Sequence, residues 1–140
     1  LYNHKLKKYK TGVIIMRKRM MYQVVELFKI VLNLEGIIIR VRINNALDKN
    51  TMAEVVELKN SYAISISPAV QDERKVVEII GHEMTHIKQF VYDGLDLDRC
   101  AFKGSEYIIE NDLDYWFAPW EVEARGMEQA LWAYFCEAEL

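Results

Sequence analysis

The chain is predicted to fold as a single α+β domain, on three observations. Apolar residues recur at three- and four-residue intervals in three separate stretches, as they do along one face of a helix. Between the first two stretches lie short runs rich in β-branched residues that alternate with polar or small ones, as in half-buried strands. The chain has 140 residues, 51% of them hydrophobic and 28% charged, which suits one globular domain with a real core.

The elements follow in order. Residues 1–12 are polar and basic and end at Gly12. We read residues 1–15 as a basic arm and residues 16–140 as the domain. From Arg17 to Leu34, Met20 or Met21, Val24, Leu27 or Phe28, Val31 and Leu34 share one helical face, and Gly36 is a fitting stop. Ile37–Ile43 reads as a strand in which Ile39, Val41 and Ile43 alternate with Arg40 and Arg42. Met52–Leu58 is ambiguous, but Lys59-Asn60-Ser61 resembles a hairpin turn. The strand Tyr62–Ser67 comes next and ends at Pro68. One of its faces carries only Ala63, Ser65 and Ser67, which suits an exposed or edge position.

A helix is expected from an N-cap at Asp72 to about Tyr92, stopped by Asp93-Gly94. Val76, Ile80, Met84, Ile87 and Val91 form its apolar stripe. Residues 93–118 carry few regular signals and read as a long functional loop with short ordered pieces. Most of its aromatics, Phe102, Tyr107, Tyr115, Trp116 and Phe117, are expected to be partly buried, and one tyrosine to reach a site as a donor. Pro119 opens the last helix, which runs to about Cys136 with Trp120, Ala124, Met127, Leu131, Tyr134 and Phe135 facing inward.

Charge and cysteine content exclude several classes. The formal net charge of −3 makes no general case for nucleic-acid binding. The basic start, Lys5 to Arg19, can touch nucleic acid, a membrane surface or the acidic half of the molecule; a solvated tail is the favoured reading. No apolar run reaches the roughly 20 residues that span a bilayer, and Val13–Met16 is too short for a signal core. The expected location is cytoplasmic. Cys100 and Cys136 lack zinc-ribbon spacing and are expected to be free thiols.

The chemistry is concentrated in His82-Glu83-Met84-Thr85-His86. Histidines four apart on a helix lie on one face and can converge on one metal ion, most often zinc. The intervening Glu83 is placed to take a proton from a metal-activated water. On a helical wheel His82 and His86 fall opposite the apolar stripe, with Lys75 and Gln89 near them. A catalytic zinc site needs a third protein ligand. Gln89 and Tyr92 stand where a metzincin has glycine and histidine, which excludes that class, and His4 sits in the basic arm. A carboxylate on the last helix is therefore expected. The wheel narrows the choice to Glu121, Glu123 and Glu128 without deciding it.

His82-Glu83-x-x-His86 followed by Glu121-x-x-Ala124 resembles the zincin metallopeptidases whose third ligand is a helical glutamate, the gluzincin arrangement. The resemblance implies that Glu121 is the ligand and that Ala124 packs against the motif helix. Those families carry Asp where this chain has Arg125, so their supporting carboxylate is missing or supplied elsewhere. The fuller pattern, His-Glu-Met-x-His-x-Lys-Gln-Phe, then Phe-Lys-Gly and Pro-Trp-Glu-x-Glu-Ala, is similar to small zincin-like proteins of phages and bacteria. SprT-like and ImmA-like peptidases share the minimal domain plan. The resemblance covers roughly residues 60–130, and for a phage protein it would place the chain in the virion or the host cytoplasm.

The expectation is a zincin-like metallopeptidase in which His82, His86 and Glu121 hold Zn2+ and Glu83 is the general base. Its substrate is a protein or peptide, added as an extra strand along Tyr62–Ser67. Tyr107 or Tyr115 is the expected oxyanion donor. The alternative is a zincin-fold binding or structural module that keeps the zinc site without turnover.

Overall fold

The computed structural model describes the backbone of residues 2–138 and the side chains of residues 17–138. The architecture is α+β. Four helices, a three-stranded mixed sheet and a two-stranded sheet make up the described residues. Among them no helix is long and apolar enough to cross a membrane.

Helix α1 spans Tyr2–Leu32. It begins well before Arg17, and Gly12 lies inside it. A single interior glycine costs a helix only about 1 kcal/mol, little against the length of a 31-residue helix. The side chains of the basic arm lie outside the described residues.

The end of α1 is a correction. Gly36 does not stop the helix; Asn33 does, in the left-handed conformation at φ 59°. The Leu34 amide donates to the Lys29 carbonyl at 2.8 Å and the Asn33 amide to the Ile30 carbonyl at 3.4 Å. This is the paired closure of a Schellman motif, with asparagine in the usual glycine place. Fully buried Leu34 follows it into the core.

Strands β1 (Ile38–Ile43), β2 (Ala53–Glu57) and β3 (Ser61–Ile66) form the main sheet in the order β1-β3-β2. The ambiguous stretch at Met52–Leu58 is thus a strand. The turn after it closes with the Leu58 amide on the Ser61 carbonyl at 2.8 Å. Strand β3 pairs parallel to β1, with Val41 opposite Ile64, and antiparallel to β2, with Val55 opposite Ile64.

This order overturns the edge assignment of Tyr62–Ser67. Strand β3 is central, with both sides hydrogen-bonded. Its small face is not open either: Ala63 and Ser65 are buried, and the Arg42 Nε donates to Ser65 Oγ at 2.9 Å. Small residues are there because neighbouring side chains close over them.

Helix α2 (Glu73–Tyr92) starts where expected, with the Asp72 carboxylate accepting from the Lys75 amide at 3.1 Å. It ends at Asp93, followed by Gly94 at φ 65°. Val76, Ile80, Met84 and Ile87 are fully buried against α1 and the sheet, with Phe28, Leu34, Ile64 and Ile66. Helix α4 (Pro119–Glu137) packs on the other side of α2. The helices meet closely at Gly81. A methyl carbon there would lie 3.2 Å from Leu131 Cδ1 and 3.4 Å from Phe28 Cε2.

Between α2 and α4 lie β4 (Ala101–Phe102), β5 (Ser105–Glu106) and the short helix α3 (Asp112–Trp116). Lys103 and Gly104 both have positive φ and form the two-residue turn of the β4–β5 hairpin. A second small core of Leu95, Phe102, Ala118 and Trp120 pins this segment to the start of α4. Only Phe102 of the five loop aromatics joins it as a buried residue. Tyr107, Tyr115, Trp116 and Phe117 are exposed, contrary to the partial burial expected for most of them. Cys100 and Cys136 are free.

Candidate metal centre

The centre sits between α2 and α4. One helical turn separates His82 from His86, and their rings meet edge to face with Nε2 atoms 3.2 Å apart. Helix α4 brings Glu121 across from the other side. Its Oε2 lies 3.2 Å from His82 Nε2 and its Oε1 3.1 Å from His86 Nε2. Three pairs of groups thus converge on one point, and His86 and Glu121 are buried there.

Glu121 is placed by its neighbours. Trp120, 1% exposed, is the anchor of the second core, packed edge-on against Phe102 and Tyr107. Ala124 is fully buried one turn later, small enough for α4 to lie close. Pro119 opens the helix at a position where its missing amide costs nothing.

Glu123 and Glu128 lie elsewhere. Glu123 Oε1 accepts from Gln89 Nε2 at 3.0 Å and from Lys88 at 3.1 Å, with Lys103 3.6 Å from Oε2. Glu128 Oε1 lies 3.4 Å from His82 Nδ1, on the far side of that ring from Glu121. Tyr115 is the loop tyrosine that reaches the centre: its hydroxyl donates to Glu121 Oε1 at 2.7 Å. Tyr107 packs on Trp120 instead.

Arg125, at the place of the expected acidic residue, clamps α3. Its guanidinium stacks 3.9 Å over the Trp116 ring and donates to the Trp116 carbonyl. That holds Tyr115, the preceding residue, against Glu121. Sequence periodicity had no way to announce this contact, because α3 is too short to carry a pattern.

Electrostatics follow from the crowding. Burial alone would raise the Glu121 pKa, but hydrogen bonds from His82, His86 and Tyr115 and the charge of His86 outweigh it, so the carboxyl titrates well below its usual range. Burial, the bond to Glu121 and the charges of Glu121 and Glu83 push the Tyr115 phenol up, against a small opposing effect of Arg125. Tyr115 therefore keeps its proton near neutral pH and remains a donor. Burial also raises the pKa of half-buried Glu83; His86 and His82 lower it, and Glu121 and Glu54 raise it again, for a net upward shift.

The donor set fits a divalent metal. Ligands at about 2.0–2.1 Å in a tetrahedron stand roughly 3.3 Å apart. The 3.2 Å between the two Nε2 atoms is close to that figure, and each nitrogen has one or the other Glu121 oxygen 3.1 to 3.2 Å away. Each outward Nδ1 has an acceptor, Gln89 Oε1 at 2.8 Å for His86 and Glu128 Oε1 for His82. Protonated there, both rings could present an Nε2 lone pair to a metal in place of their hydrogen bonds to Glu121. Two imidazole nitrogens and a carboxylate suit zinc. No family model, curated protein or solved structure matches the chain.

The structure brings three sequence-derived candidates, His82, His86 and Glu121, to one point and sets Glu83 beside them. Gln89 and Glu128 acquire roles that the sequence had not assigned. Gln89 had served only to exclude the metzincin pattern and to mark the histidine face. Its spacing of three from His86 was the signal available.

Proposed function

We propose that the chain is a zinc-dependent peptidase built on a minimal zincin-like plan. The observation that carries this reading is the convergence of His82 Nε2, His86 Nε2 and the Glu121 carboxylate within 3.1 to 3.2 Å of one another, with Glu83 one residue along from His82. A zinc ion held by these three residues supplies Lewis-acid activation of water and of a carbonyl oxygen.

The chain's own residues do the rest. Glu83, with its pKa raised by burial, accepts the proton of the attacking water and passes it to the leaving amine. Tyr115 holds Glu121 in place, its single hydroxyl proton donated to Oε1. The substrate strand adds to β2 rather than β3. Strand β2 pairs only with β3 among the described residues, so its other edge is free, and Glu54 on it lies close enough to affect Glu83.

The rival reading, a module that keeps zinc without turnover, rested partly on Arg125. Gln89 and Glu128 now back the two histidines in place of the missing acidic residue, which favours a working centre. The deciding experiment combines metal analysis with cleavage of an unfolded protein. Wild-type protein should bind one zinc and cleave. Glu83→Gln should keep the metal and lose about 10²–10⁴-fold in rate. His82→Ala should lose both. Bound zinc with no cleavage would establish the module instead.

A further inference from the structure

Gln89 has no part in the proton chemistry, yet it is fully buried at the centre of the site. A buried amide is costly unless each of its groups is hydrogen-bonded. Here all are. Gln89 Nε2 donates to the Trp120 carbonyl at 2.9 Å and to Glu123 Oε1 at 3.0 Å. Both partners accept only, so the nitrogen must lie on that side. Gln89 Oε1 then faces His86 Nδ1 at 2.8 Å. An amide oxygen cannot donate, so the proton of that bond belongs to Nδ1.

The same side chain reaches the second ligand helix. The Trp120 carbonyl belongs to the residue just before Glu121. One amide thus sets the proton position on one ligand and ties down the backbone next to another. Glu128 does less for His82, because its 3.4 Å contact exceeds the usual 2.7–2.9 Å of a charge-assisted bond.

We propose that Gln89 is the positioning residue of the centre: it orients the His86 ring through its Nδ1–H and fixes Glu121 against α2 through the Trp120 carbonyl. The inference deepens the zinc reading and rests on it for its effect on metal affinity.

Nitrogen-15 correlation spectra of the histidine rings show whether Nδ1 carries a proton. They are measured on the metal-free full chain. Wild-type His86 should give a hydrogen-bonded, slowly exchanging Nδ1–H resonance. Gln89→Met preserves length and bulk while removing both bonding groups. In it, that resonance should be lost to exchange with water, and zinc affinity by chelator competition should fall about 10- to 100-fold.

A wild-type His86 with no proton on Nδ1 overturns the proposal, and that measurement needs no variant. A folded Gln89→Met protein with unchanged zinc affinity overturns it too. Failure of the zinc reading looks different: wild-type protein would bind no zinc while His86 kept Nδ1–H, which leaves the Gln89 assignment standing.

Discussion

Glu121 and Glu123 stand two residues apart on one helix and make opposite predictions. Both Glu121 oxygens face histidine nitrogens at 3.1 to 3.2 Å, whereas those of Glu123 face Gln89, Lys88 and Lys103. Structural zinc sites with four ligands bind with about 10–16 kcal/mol of apparent free energy. Divided among the ligands, that is roughly 3 kcal/mol each, or on the order of 100-fold in affinity. Glu121→Ala should therefore weaken zinc binding by on the order of 100-fold or more. Glu123→Ala leaves all three ligands, and Lys88 retains Asp93 at 2.8 Å, so the loss should stay under about 10-fold. Competition with a chromophoric chelator reads both values. Urea unfolding of the metal-free proteins serves as the control, because Glu121→Ala removes the bond to the half-exposed Tyr115 hydroxyl, worth about 1 kcal/mol. Wild-type affinity in Glu121→Ala, or an equal loss in Glu123→Ala, refutes the assignment of the third ligand.

Other outcomes follow from the same contacts. Tyr115→Phe removes the 2.7 Å bond to Glu121; because Tyr115 is half exposed, stability should fall by only about 1 kcal/mol and zinc affinity by less than about 10-fold, as chelator competition can check. Gly81→Val forces extra carbon against Leu131 and Phe28 where the helices cross, and the urea midpoint should report a loss of about 1–3 kcal/mol with an unchanged m-value. Asn33→Ala should cost about 1–2 kcal/mol because alanine resists positive φ, while Asn33→Gly should not destabilise; equal losses would remove the left-handed cap from the account. Zinc at about 100 times its Kd should stabilise the protein by about 2.7 kcal/mol, seen as a rise of roughly 10 °C in melting temperature that a chelator reverses.

What could be read from the chain alone was local. The Asp72 cap, the Asp93-Gly94 stop, Pro119 at the start of α4 and the stripe Val76, Ile80, Met84 and Ile87 all depend on residues within a few turns of one another. So does the pairing of His82 with His86, because helical pitch alone puts them on one face. Helical spacing says which way a side chain points, but not what it meets. The wheel therefore left Glu121, Glu123 and Glu128 open, and only the approach of α4 set Glu121 against the histidines and turned Glu123 to Gln89 and Lys88. Strand order is likewise a long-range choice. Small residues on Tyr62–Ser67 implied exposure, yet pairing on both sides made β3 central and put β1 and β2 at the edges. The bonds of Tyr115 to Glu121 and of Gln89 to the Trp120 carbonyl have the same origin: each joins partners on different elements, a relation that tertiary packing decides and periodicity cannot encode.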